Sequence, residues 1–140
     1  MHCPYTGINI KRFVAMVVAG YVFLFALDFI VHHKLLMDLY TQTADLWRPE
    51  ESMMDFMALM ITRNVVLIGL LGYIFTRNFE DKGIGEGVRF GIPFGMLLAL
   101  MMASSYIWMP IPLELALGWA ASGFAMGLGL GIIFSLIYKK

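Results

Sequence analysis

Cysteine is almost missing from this chain of 140 residues. The lone Cys3 cannot form an intrachain disulfide, which excludes a disulfide-stapled scaffold. Charge is scarce too: 14% of residues are charged, against roughly 25% in soluble domains, and the formal net charge is zero. The basic residues are scattered in small groups and form no long patch, so nucleic-acid binding is excluded. Histidine occurs three times, at His2, His32 and His33. No serine or cysteine nucleophile has a base beside it, so hydrolase chemistry has no support. The Gly83-Ile84-Gly85-Glu86-Gly87 run lacks both the preceding strand and the glycine spacing of a dinucleotide loop; it reads as a flexible turn.

Apolar side chains are what the sequence has in quantity, at 60% of the total. They fall into four runs, Phe13–Val31, Phe56–Thr76, Phe90–Met109 and Leu113–Tyr138. Each is about long enough to cross ~30 Å of hydrocarbon at 1.5 Å per residue. Lipid tolerates no unpaired backbone, so the runs are expected to be helices and the chain an all-α integral membrane four-helix bundle. Four spans consume more than half of a single 140-residue domain and leave little for extramembrane catalysis, so the expectation is not an enzyme. The first run is too long for a signal peptide and ends without a small-x-small cleavage pattern, so it should be retained.

Lys11, Arg12, Arg77, Lys82, Arg89, Lys139 and Lys140 fall on one side of these spans, and only Lys34 and Arg48 on the other. The positive-inside rule then puts both termini in the cytoplasm. On the outer side, residues 34–55 carry Asp38, Asp45, Glu50, Glu51 and Asp55 between Leu35, Leu39, Leu46 and Trp47. This amphipathic segment is expected to continue the first helix and then lie at the interface. Pro49-Glu50-Glu51 predicts the start of the second helix, with proline at its first position. Pro110-Ile111-Pro112 permits only a tight turn, so the third and fourth helices are expected as a hairpin.

Gly87, Gly91, Gly95, Ala99 and Ala103 repeat every four residues on the third helix, as do Gly123, Gly127, Gly131 and Ser135 on the fourth. Small residues allow the close backbone approach that holds helices together in lipid. Such faces serve either hairpin packing or a partner.

Asp28 is the one ionisable residue within the first run, and His32 shares its helix face four residues on. Arg63, with Asn64 beside it, is the base of the second run, so an Asp28–Arg63 ion pair is the natural expectation. Such a pair either orients two helices or belongs to a proton or ion relay. His32 and His33 raise a metal or haem site, though one helix supplies too few ligands for zinc. Met53 and Met57 put two thioethers on one face, a pattern that resembles the Met-x-x-x-Met motif of eukaryotic copper transporters. Methionine is equally a filler of apolar interfaces.

Three blocks, Leu27-Asp28-Phe29-Ile30-Val31-His32, Leu39-Tyr40 with Thr43-Ala44-Asp45-Leu46-Trp47-Arg48-Pro49-Glu50, and Lys82-Gly83-Ile84-Gly85-Glu86-Gly87-Val88-Arg89, together cover much of the chain's character. They resemble a family of small uncharacterised bacterial four-helix inner-membrane proteins, from which His33 departs where a small residue is expected. The resemblance implies a bacterial inner-membrane location and no catalytic residue. The leading expectation is therefore a protein without cofactor that acts by helix association, with the lipid bilayer and either other membrane subunits or itself as partners. It would serve as an accessory subunit or homo-oligomer. The alternatives are a proton- or metal-ion transporter using Asp28, His32 and Arg63, with copper as one candidate, and a haem- or quinone-binding redox subunit using His32 or His33.

Overall fold

The computed structural model describes residues 5–139. His2, Cys3, Lys140 and the side chain of Glu50 lie outside the described part. Helix accounts for 83% of the structure, and no strand occurs among the described residues. Four helical stretches, Ile10–Leu35, Ala44–Arg77, Ile84–Trp108 and Leu113–Ile137, are long and apolar enough to cross a membrane.

Helix α1 runs from Ile10 to Ile30, capped by Asn9, whose Oδ1 accepts from the Arg12 backbone N–H at 3.4 Å. Its four-residue series Met16, Gly20 and Leu24 is buried, while Val14, Val18, Val22 and Phe25 face outward. The helix then widens into a π turn over Val31–Leu35, closed by Leu36 N–H donating to Val31 O at 2.9 Å. Leu36 breaks the helix at φ −108°, ψ 2°. Residues 34–55 therefore do not extend α1 as expected beyond Leu35. They fold back as α2 (Met37–Gln42) and a 3-10 turn (Ala44–Leu46). Gly118 makes room for the bend, since a Cβ there would meet Leu36 Cδ2 at 2.7 Å.

Pro49 caps α3 (Glu50–Met53) from the position before it and is not, as expected, its first helical residue. A 3-10 turn at Met54–Phe56 leads into α4 (Met57–Arg77). Helix α5 covers Ile84–Ala103 and starts after Gly83, whose φ of +67° suits glycine. The third apolar run was expected to stay continuous to Met109. Instead Ser104 makes a turn, and Ser105–Trp108 form a separate short helix, α6. Helix α7 spans Leu113–Ile137.

Helices α5 and α7 pack along their glycines. A Cβ at Gly91 would lie 2.8 Å from Leu128 Cα, one at Gly95 2.7 Å from Phe124 O, and one at Gly123 2.9 Å from Ala99 N. Gly87 meets Gly131 O and Ser135, and Gly127 meets the Gly95 backbone. The two small-residue series thus face each other, with Ala103 half-buried at the end of the contact. Ser135 turns its hydroxyl to its own helix, donating to Ile132 O at 2.8 Å.

The opposite side of α7 supports α1 and α4. Leu130 and Phe134 lie fully buried with Met16, Leu24, Ile68 and Phe75 in the main core. A smaller core of Val31, Leu36, Ile111, Leu115 and Ala116 sits at the acidic end. Gly20 lies beside Ile68 and Gly72 beside Met16, which fixes the antiparallel register of α1 and α4. Toward the acidic end, no residue of α4 before Ile68 is buried. Every residue from Met53 to Arg63 is exposed.

At the basic end a loop closes the bundle. Glu86, 7% exposed, accepts from the backbone N–H groups of Glu80 and Lys82 at 2.7 and 2.9 Å. Lys139 pairs with Asp81 at 3.1 Å, and Arg77 donates to Thr6 O at 3.2 Å.

Gly91→Ala should destabilise the protein by roughly 1–3 kcal/mol, because backbone and not a flexible side chain meets the new methyl. Gly69→Ala, with nothing within 4 Å, should be neutral or stabilising by about 0.5–1 kcal/mol. Thermal unfolding in detergent measures both.

Candidate functional site: a polar and aromatic cluster at the acidic end

The π turn of α1 brings His32 under the folded-back segment, where its Nδ1 lies 2.6 Å from the Tyr40 hydroxyl. The same hydroxyl accepts from Trp119 Nε1 on α7, also at 2.6 Å. An indole N–H only donates, so the phenol proton is free to go to His32 Nδ1, which leaves the proton of the neutral imidazole on Nε2. Trp47 closes over the group. Its ring stands edge-on to Tyr40 at 5.5 Å and to Trp119 at 5.9 Å, and its Nε1 donates to Thr43 Oγ1 at 2.9 Å. The smaller apolar core forms the floor of this cluster.

Burial pushes the Tyr40 phenol above its ordinary titration range, and the negative charge of Asp28 adds to the effect. The Trp119 hydrogen bond works against both by favouring the phenolate. The protonated phenol is thus the form the fold favours. Its contribution to stability is complete below the unfolded value near 10 and is lost as pH rises through the higher folded value.

Asp28 lies one turn before His32 on the half-buried side of α1, in line with Leu24, Gly20 and Met16. The expected Asp28–Arg63 ion pair is not formed, however. Arg63 donates instead to Asn64 Oδ1 on its own helix, through Nε at 3.1 Å and Nη2 at 2.9 Å. The α1–α4 register, set where Gly20 meets Ile68 and Gly72 meets Met16, puts Met60 opposite Asp28 and Arg63 about a turn deeper.

The metal-ligand candidates are not brought together. His33 is exposed and packs on Phe29 with ring centroids 5.4 Å apart, away from the Tyr40 group. Met53 and Met57 are each 46% exposed, on α3 and the start of α4. Among the described residues, no three His, Cys, Asp or Glu side chains converge as a metal site would need.

Tyr40 stands out in the sequence only as part of the Leu39-Tyr40 block, and Trp119 and Ser122 lie unmarked in the fourth apolar run. Trp119 carried a usable signal, since an indole inside an apolar run needs an acceptor for its N–H. Ser122, one turn along α7, is 3% exposed, and its hydroxyl is the one buried side-chain N or O among the described residues without a hydrogen-bond partner. No family model, curated protein or solved structure matches the chain.

Tyr40→Phe should strand both the imidazole Nδ1 and the indole N–H, at a cost of roughly 1–3 kcal/mol in thermal or denaturant unfolding. In the ultraviolet titration, the wild-type minus Tyr40→Phe difference should be a tyrosinate that appears later than the usual value near 10.

Proposed function

We propose that this is a non-enzymatic membrane protein that works by association, as an accessory subunit of a larger membrane complex or as a homo-oligomer. The carrying observation is the free half of α4. Its residues up to Arg63 are all exposed, and the first buried residue is Ile68. Lipid covers the methionines of this stretch well, but it does not satisfy a guanidinium and an amide, and a charge at mid-span costs roughly 2.5–3.5 kcal/mol. A protein surface in contact with this half-helix would offset that cost. The small-residue faces of α5 and α7 are occupied by one another, which leaves α4 as the favoured contact.

The proposed setting is the bacterial inner membrane, with both termini cytoplasmic. The gathering of Lys11, Arg12, Arg77, Lys82, Arg89 and Lys139 toward one end of the bundle supports that orientation by the positive-inside rule.

A second reading is a proton or ion path, favoured by the connected groups His32, Tyr40 and Trp119 with Asp28 a turn away. Under it, Asp28→Asn abolishes flux through protein reconstituted in liposomes while leaving the fold intact.

The association reading is tested on protein purified from its native membrane in mild detergent. The complex should exceed the mass of the 15.8 kDa chain, and Arg63→Gln with Asn64→Ala should reduce its assembly. A monodisperse lone monomer would contradict the reading.

A further inference from the structure

At the basic end a shallow groove of about 240 Å³ runs between the start of α1 and the end of α4, lined by Thr6, Ile8, Ile10, Phe13 and Tyr73. Its walls are almost wholly apolar, and its volume falls below the roughly 300–1,000 Å³ of pockets that enclose small molecules. It is open along its length and suits part of a flexible chain.

Cationic residues neighbour the lining residues of the groove. Arg77 reaches over Thr6 to donate one Nη1 hydrogen bond to its carbonyl, and a guanidinium has five such donors. The first turn of α1, which supplies Ile10 to the wall, also carries the exposed Lys11 and Arg12. Among the described residues these three have no acidic partner within 4 Å, since the acids of this end pair elsewhere: Glu80 with Lys82 and Arg89, and Asp81 with Lys139. An apolar slot beside a guanidinium that has no acidic partner among the described residues, at the boundary of two apolar helices, suits a phospholipid with a negative headgroup.

The geometry points to a binding site for one anionic phospholipid, with an acyl chain along Ile8, Phe13 and Tyr73 and its phosphate on Arg77. Lys11 and Arg12 supply the local positive potential that selects an anionic over a zwitterionic lipid. The site is independent of the α4 contact at the other end of the molecule.

Native mass spectrometry of the purified full chain in micelles carrying either phosphatidylglycerol or phosphatidylcholine tests it. One phosphatidylglycerol per chain should be retained, at least tenfold more strongly than phosphatidylcholine. Arg77→Gln should remove that preference, as should Lys11→Gln with Arg12→Gln to a smaller extent, whereas Arg89→Gln at the same end should keep it. Thermal unfolding identifies any variant that fails to fold, and the wild-type comparison of the two lipids stands without it. Equal retention of both lipids would overturn the site, and so would equal losses in folded Arg77→Gln and Arg89→Gln, which indicate diffuse surface charge.

Discussion

The close approach of α5 and α7 is the constraint on which the rest of the structure depends. Backbone lies against backbone at Gly91 and Leu128, at Gly95 and Phe124, and at Gly123 and Ala99, so neither helix can carry a larger residue there. Bringing peptide groups this near replaces the hydrophobic effect, which has little force between helices in an apolar solvent. The contact uses up both small-residue series. It leaves the other side of α7 to organise α1 and α4, and there the fit is partial. Met16, Ile68, Leu130 and Phe134 pack fully at the basic half, while α4 stands clear at the acidic half.

Polar groups in such a frame gather where they can serve one another. Tyr40 joins His32 and Trp119 because a hydroxyl both accepts and donates, and the π turn supplies the extra residue that presents His32 to it. Arg63 donates to Asn64 within one helix through Nε and Nη2, which leaves its other guanidinium donors to a partner surface. The Ser122 hydroxyl has no hydrogen-bond partner among the described residues. The two ends of the bundle thus differ in kind: the basic end is latched by Glu86, Lys139 and Arg77, and the acidic end holds the groups whose partners are incomplete.

Much of the helical architecture was legible in the sequence, since four long apolar runs and a four-residue glycine repeat each have a direct physical meaning. Pro110-Ile111-Pro112 likewise marks a turn that α7 follows. The candidate site was less legible. Asp28 and Arg63 do not share a level because the register of α1 on α4 is set at Gly20 and Gly72, which puts Met60 opposite Asp28. Leu36, where α1 breaks, packs its side chain on Gly118, a residue 82 positions away, and no local pattern reveals that contact. The Tyr40–Trp119 bond follows from that break and is equally invisible in the linear order.

The central claim is that a protein surface covers the free half of α4. Bifunctional thiol cross-linking in native membranes measures this most directly, with a single cysteine placed at Met60 in a Cys3→Ser background. Met60, 51% exposed on the unpartnered half, should yield a discrete higher-mass adduct, while a cysteine at Leu100, 68% exposed on α5, should yield none. The absence of an adduct at Met60, or equal adducts at both positions, would contradict the account.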